Sequence, residues 1–146
     1  MTATQTAQDA MTREQMDALV ESHYRAEEAA DLDAIVEGFA PDSEHDVVGR
    51  PGPVLHGADQ IAGFYRALLA DLRIERFEPV RRWYGEDHVA DESILHATAV
   101  GRPFGLEGRD RPVAVRFLHI FDFAEGRISR ESAWIDLAAI QQQLAA

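Results

Sequence analysis

The spacing of apolar residues changes near residue 74, and this change constrains the fold more than any other feature of the chain. Upstream of it, apolar side chains recur at the three- and four-residue intervals of one helix face. Downstream, apolar and polar residues alternate, which predicts four strands at 74–84, 88–100, 112–123 and 127–135. Helices followed by consecutive strands are typical of an α+β fold with the helices gathered on one side of a sheet.

Local signals place the remaining elements. Thr12 and Gln15 form a capping-box pattern that opens a first helix ending near Ala30. Asp31 is suited to cap a shorter second helix, which Pro41 should end. The other predicted elements are a strand at 44–48, an irregular loop at 49–57, a helix at 58–72 and a last helix at 137–144. A strongly bent antiparallel sheet covered by these helices would enclose a cone-shaped hollow in which a ligand can bind.

Length and composition indicate one small domain. We expect the polar, alanine-rich residues 1–11 to form a disordered lead-in and residues 12–146 to form the domain. The lead-in lacks the basic start and apolar centre of a secretory signal. The chain has no cysteine, which excludes disulfides and thiolate zinc sites, and no apolar run long enough to span a membrane. We therefore expect a cytoplasmic protein.

The charge of the chain argues against nucleic acid and anionic membranes as partners. It carries 26 acidic and 14 basic side chains, for a net charge of −12 with histidine neutral. Nucleic-acid binding depends mainly on basic residues that neutralise phosphates. The densest basic stretch, Arg81 and Arg82, fits the solvated face of a strand better than a binding groove.

Three stretches resemble known proteins. The first, AADLDAIVEGFAPDSEHDVVG, is similar to the N-terminal part of ketosteroid isomerase-like and SnoaL-like proteins. The second, HGADQIAGFYRAL, is similar to a helix of the same superfamily. The third runs from GRPFGL to QQQL and is similar to the C-terminal half of SnoaL-like polyketide cyclases. Together they cover about residues 13–144. The chain therefore resembles the nuclear transport factor 2-like superfamily, which implies a curved mixed sheet covered by helices and a working pocket inside it.

The resemblance implies three catalytic residues. Asp46 matches the base of the isomerases, His119 the position of their oxyanion-holding acid, and Asp136 an acid/base aspartate of the cyclases. If the first strand is regular, Asp46 faces the hollow and His45 points away. Each residue has an ordinary alternative: a surface carboxylate for Asp46, a core histidine for His119, and an N-cap of the last helix for Asp136.

Further polar residues are candidates for the hollow. His23 and Tyr24 fall near the oxyanion tyrosine of the isomerases, although core packing explains them equally well. Glu92 and His96 share one face of the strand 88–100 and would join His119 if that face is the inner one. A glutamate beside two histidines suits zinc or iron, but the sequence has no close-spaced ligand motif. We therefore expect neither a metal nor another cofactor.

The predicted apolar lining of the hollow includes Phe64, Phe121 and Trp134. Such a lining suits a small hydrophobic carbonyl compound, polyketide-like or steroid-like. The expected function is a cofactor-independent acid/base enzyme that removes a proton next to a carbonyl. Isomerisation, aldol-type cyclisation and dehydration share this step, and an epoxide hydrolase would use the same carboxylates to activate water.

A ligand-binding or dimerisation module of the same fold is the alternative from a different class. The resemblance implies a homodimer formed through the sheet, and the strand face that carries Arg116, Leu118 and Ile120 would suit that contact. Convergence of a carboxylate and an imidazole at an open pocket would favour the enzyme. A pocket plugged by aromatic side chains would favour the module.

Overall fold

The structure, a computed structural model, describes residues 10–145. Its helices are α1 (Arg13–Glu28), α2 (Leu32–Glu37), α3 (Gly57–Asp71) and α4 (Leu137–Leu144), with a short 3-10 turn at Pro103–Gly105. Its strands are β1 (Phe39–Val47), β2 (Leu55–His56), β3 (Leu72–Tyr84), β4 (His88–Ala99), β5 (Arg111–Ala124) and β6 (Arg127–Ile135). Most of the predicted lead-in, residues 1–9, lies outside the described residues.

The helices begin where the local signals place them. Thr12 and Gln15 form both hydrogen bonds of a capping box at the start of α1. The Asp31 carboxylate accepts a hydrogen bond from the Ala34 backbone N–H and caps α2. These contacts satisfy backbone donors that have no partner inside the helix, and they depend only on residues close in sequence.

The six strands form one mixed, curved sheet in the order β2-β1-β6-β5-β4-β3. β1 runs parallel to β6, and every other neighbouring pair is antiparallel. Register shifts in β3 and in the pairing of β5 with β6 mark irregularities of the kind that bend a strand and increase its twist. The predicted α+β fold, with helices covering a curved mixed sheet, is confirmed.

Two apolar clusters join the helices to the sheet. In the first, residues of α1, α2 and α3, including Met16, Ile35 and Ile61, pack against Phe121 of β5 and Ile128 of β6. The second joins α4 to the opposite ends of β3, β4 and β5. Between the two clusters the inner face of the sheet is left facing a cavity.

Two local expectations were wrong. The first strand begins at Phe39, α2 ends before Gly38, and Pro41 lies within β1. The register between β1 and β6 is irregular between Phe39 and Glu44, so the missing N–H of Pro41 falls where the strand is not regularly paired. The loop at 49–57 also contains the two-residue strand β2, which pairs with β1.

The outer face of β5 carries Arg116, Leu118 and Ile120, as the alternation predicts. A homodimer formed through this face stays a prediction. Within residues 10–145, none of the helices combines the length and apolar character needed to cross a membrane.

Replacement of Ile61 by alanine should destabilise the fold, because its fully buried side chain fills the space between α3 and the sheet. We expect Ile61→Ala to lower the free energy of unfolding by about 2–5 kcal/mol in urea titrations. Val80→Ala is the control, since Val80 is 53% exposed on β3 and should lose less than about 1 kcal/mol. Equal losses in the two variants would contradict this packing.

Candidate active site

The inner face of the sheet and the helices above it bury a cluster of polar side chains. These come from α1, α3, β1, β4, β5 and β6, and are His23, Tyr24, Glu27, His45, Tyr65, Asp91, His119 and Glu131. A buried polar group costs free energy unless it finds a hydrogen-bond partner or a counter-charge, and most of these residues find one within the set. We call them the buried polar cluster.

A narrow cavity leads to this cluster. Its floor is formed by Glu27, His45, His119 and Glu131, and its walls include Phe64, Phe77, Phe104 and Phe117. Its volume is about 30 Å³, which holds one or two water molecules. A wider depression of about 350 Å³ adjoins it and shares Phe64, Leu68 and Phe104 with it. Carboxylate and imidazole groups therefore converge below an aromatic entrance.

Glu131 is the centre of the cluster. The Tyr65 hydroxyl donates a hydrogen bond of 2.7 Å to its Oε2. The Nε2 atoms of His23 and His45 each lie 3.4 Å from Oε2, and the Nε2 atom of His119 lies 3.4 Å from Oε1. Burial acts to raise the pKa of Glu131, but the charges of His23 and His45 outweigh it and hold the pKa well below the usual range.

His23 carries the compensating positive charge. Its Nε2 lies 2.8 Å from Oε1 of Glu27, one helical turn along α1. Burial acts to lower the pKa of His23, yet Glu131 and Glu27 outweigh it and raise the pKa to about 10. Burial raises the pKa of Glu27. At neutral pH the inner end of the cavity thus holds an imidazolium beside the Glu131 carboxylate.

A chain of hydrogen bonds fixes the protonation of His119. The Tyr24 hydroxyl donates to Oδ2 of Asp91 at 2.6 Å and lies 3.1 Å from Nδ1 of His119. Because its single hydrogen is given to Asp91, the Tyr24 oxygen must accept a hydrogen from Nδ1. Nε2 of the neutral ring is then unprotonated. Burial lowers the pKa of His119 to about 4, despite the opposing charge of Glu131.

The same chain is anchored at the protein surface. The Arg82 guanidinium donates from Nε to Asp91 Oδ1 at 2.7 Å and from Nη1 to Asp17 at 2.6 Å. The His119 ring is stacked between Phe117 and Phe121, with centroid distances of 4.2 and 5.2 Å. Its orientation is therefore set by both packing and hydrogen bonding.

Comparison with known proteins decides the family. The model of the SnoaL-like domain matches residues 20–131, well over half of the chain. The chain belongs to the SnoaL-like domain family. The resemblance found in its sequence is thereby confirmed. No curated protein sequence matches the chain.

Solved structures share the SnoaL-like fold of this chain. A candidate polyketide cyclase from Xanthomonas campestris pv. campestris is 22% identical, with a TM-score of 0.80 over 91% of this chain and 98% of that one. A protein with a ketosteroid isomerase-like fold from Catenulispora acidiphila, solved with trimethylamine, is 19% identical, with a TM-score of 0.72 over 86% and 91%. A candidate isomerase from Rhodopseudomonas palustris is 18% identical, with a TM-score of 0.75 over 93% and 100%. At these identities the likeness shows the fold.

The SnoaL-like fold brings five of the predicted site residues together. His23, Tyr24 and His119 belong to the buried polar cluster, Phe64 lines the cavity, and Phe121 packs against the His23 and His119 rings. The predicted inner face of β5 is also correct. His119 is both buried and hydrogen-bonded, yet it lines the cavity.

The two predicted catalytic aspartates lie elsewhere. Asp46 faces outward, and its Oδ2 lies 3.2 Å from Arg130. His45 faces inward instead, so the alternation along β1 is the reverse of the predicted one. The buried alternation of β1 runs through Ser43, His45 and Val47. Asp136 is exposed and caps α4 by accepting a hydrogen bond from the Ala139 N–H at 3.1 Å.

Three predicted substrate-binding residues also face away from the cavity. Glu92 pairs with Arg116 at 2.7 Å, and His96 pairs with Glu78 at 2.8 Å. Trp134 is 39% exposed on the outer face of β6. The inner face of β4 instead carries the apolar Val89, Leu95 and Ala97, in phase with the buried Asp91.

Sequence reasoning missed five residues of the cluster: Glu27, His45, Tyr65, Asp91 and Glu131. The position of Glu27 could have been inferred from the sequence, since it lies four residues after His23 and so on the same helix face. The position of Glu131 could not, because the register shift between Asp122 and Phe123 decides which face of β6 it occupies.

Loss of the Tyr24 hydroxyl should be costly, because it would leave Asp91 and His119 each short of a buried partner. We expect Tyr24→Phe to lower the free energy of unfolding by about 1–3 kcal/mol. Tyr84→Phe is a matched control, since the more exposed Tyr84 hydroxyl also donates to a carboxylate that Arg82 pairs with. Urea titrations that give equal losses would contradict the role of Tyr24.

Proposed function

We propose that the chain is an acid/base enzyme that moves a proton at the carbon next to a carbonyl group, with His119 as the base. The observation that carries this proposal is the hydrogen-bond chain from Asp91 through Tyr24 to Nδ1 of His119. It leaves Nε2 unprotonated in a ring that lines the cavity, with Oε1 of Glu131 3.4 Å from that nitrogen. A general base needs a free lone pair within reach of the substrate, and Nε2 meets the first requirement without substrate bound.

Neighbouring groups support the charges that would form. When Nε2 takes a proton, the resulting imidazolium lies beside Glu131, whose Oε1 is 3.4 Å away. Removal of a proton next to a carbonyl places negative charge on the carbonyl oxygen. His45, the other imidazole that lines the cavity, would donate a hydrogen bond to that oxygen.

The walls of the cavity indicate the class of substrate. Aromatic and aliphatic side chains line both the narrow cavity and the wider depression above it, which suits a small hydrophobic ring or chain bearing a carbonyl. Isomerisation, aldol-type cyclisation and dehydration all begin with this proton transfer. Relatives described as candidate polyketide cyclases and isomerases support that range of reactions.

A non-catalytic binding module is the second candidate. The observation that favours it is the small volume of the inner cavity, about 30 Å³ behind four phenylalanines. A substrate could reach His119 only if these side chains, above all Phe64 and Phe104 at the entrance, change rotamer. A module that binds in the outer depression would need no such change.

Exchange of hydrogen for deuterium next to a ketone tests the proposal directly. We expect the protein to accelerate hydrogen exchange at the α-carbon of 2-tetralone in deuterated water. Proton NMR measures the rate of this exchange. His119→Gln should slow this catalysed exchange by about 10²–10⁴-fold, because the base is lost. Asp91→Asn should also slow it, since the introduced amide could donate a hydrogen bond to the Tyr24 oxygen and so disturb the His119 tautomer.

The control for this series is His96→Gln, which removes a histidine that pairs with a glutamate on the outer face of the sheet. It should exchange the ketone at the wild-type rate. Full activity in His119→Gln would exclude His119 as the base. Binding of 2-tetralone to the wild-type protein without any exchange would favour the binding module.

A further inference from the structure

Two imidazole nitrogens lie beside the Glu131 carboxylate at a distance longer than that of a normal hydrogen bond. Oε2 accepts one hydrogen bond of normal length, from Tyr65, while the Nε2 atoms of His23 and His45 stand at 3.4 Å. A direct hydrogen bond from an N–H to an oxygen is most often about 2.9–3.0 Å long. His23 Nε2 lies closer to Glu27, at 2.8 Å, and both Nε2 atoms lie 3.2 Å from the Tyr65 hydroxyl. The two imidazoles thus approach Glu131 without a short hydrogen bond to it.

The same spacing suits ligands that share a metal ion. Zinc ligands lie about 2.0–2.2 Å from the metal, so two ligands of a tetrahedral ion are about 3.3–3.6 Å apart. The Nε2 atom of His23, Oε1 of Glu27 and a carboxylate oxygen of Glu131 all lie within 4.8 Å of one another, and all three residues are buried. His45 adds a second imidazole beside Glu131.

Both imidazole rings turn the same nitrogen, Nε2, toward the Glu131 carboxylate. His23 and His45 direct all their hydrogen-bond contacts through Nε2, and their Nδ1 atoms have no partner among the described residues. Tyr65 donates to Glu131 and so orients the carboxylate, as residues around metal ligands commonly do. Glu27, His45 and Glu131 also line the cavity, so an ion held here would be accessible from it.

We propose that His23, Glu27 and Glu131, with His45 as a fourth donor, bind one divalent transition-metal ion at the inner end of the cavity. The ion is of the zinc, iron(II) or manganese(II) class, which nitrogen and carboxylate ligands suit. The two carboxylates would neutralise its charge. Binding displaces the proton of His23 into solvent, since imidazole coordinates through an unprotonated nitrogen.

The proposed ligands form no local sequence motif, which is why the sequence alone gives no sign of a metal here. Only His23 and Glu27 lie on one element, and His45 and Glu131 come from two strands that pair in the fold. The proposal goes beyond the proposed function, since the base His119 is not among the ligands, although Glu131 and His45 would take part in both. A metal at this place would polarise a carbonyl that reaches the cavity floor.

Cobalt(II) binding tests the site without any knowledge of the substrate. Protein stripped with a chelator is titrated with Co²⁺ and followed by visible absorption, with Zn²⁺ added afterwards as a competitor. We expect one Co²⁺ per chain, absorption bands between about 500 and 650 nm typical of four or five ligands, displacement by Zn²⁺, and a higher melting temperature with the metal.

Variants assign the binding to the cluster. His23→Gln and Glu27→Gln should each weaken Co²⁺ binding by about 100-fold or more, because loss of even an outer partner of a metal ligand commonly costs 10–100-fold. His96→Gln, which breaks a surface imidazole–carboxylate pair of 2.8 Å, should bind as the wild type does. Far-UV circular dichroism of each variant checks that it folds.

Two results would overturn the proposal: no saturable Co²⁺ binding by the wild-type protein up to about 100 µM, or equal weakening in His96→Gln and His23→Gln. If one ligand variant does not fold, the other decides the outcome. His119→Gln separates this proposal from the proposed function. It should still bind Co²⁺ while losing proton exchange, whereas failure of the metal site leaves exchange by the metal-free wild type intact.

Discussion

Burial of the Glu131 carboxylate sets the requirements that the rest of the cavity floor meets. Removing a charge from water costs several kcal/mol unless counter-charges and hydrogen bonds replace the lost solvent. Tyr65 gives its only hydroxyl hydrogen to Glu131, and His23 supplies positive charge nearby. These groups come from α3, α1 and β6, so the polar contacts also bind the helices to the sheet.

Tyr24 also has only one hydroxyl hydrogen, and where it goes determines which nitrogen of His119 is protonated. Asp91 takes the hydroxyl hydrogen, and His119 must therefore present an N–H from Nδ1. Arg82 holds Asp91 from the other side and reaches the partly exposed Asp17. An ion pair near the surface thus fixes which nitrogen of a buried ring carries the hydrogen.

The elements of this fold were largely predictable, because their signals are local. The capping box at Thr12, the cap at Asp31 and the alternation of β5 all follow from neighbouring residues. The face that each strand turns inward was harder. It depends on pairing between distant strands, and the irregular stretch of β1 after Phe39 gave no local sign that His45 would point inward.

The candidate site could be predicted only in part for the same reason. His119 was found because β5 is long and strictly alternating, so one register fits all of its apolar residues. The resemblance implied Asp46 and Asp136 by their positions in motifs. Both lie outside the cavity, where Asp46 pairs with Arg130 and Asp136 caps α4. Burial, which distinguishes Glu131 from the many surface carboxylates, is a property of the assembled sheet.

The protonation of His119 tests the central claim most directly. Long-range proton–nitrogen NMR of ¹⁵N-labelled protein distinguishes the two ring nitrogens of each of the six histidines, and His119→Gln assigns the signal. The structure predicts a neutral His119 with hydrogen on Nδ1 and a bare Nε2, still neutral at about pH 5, since its pKa is lowered to about 4. Hydrogen on Nε2, or an imidazolium at that pH, would contradict the account.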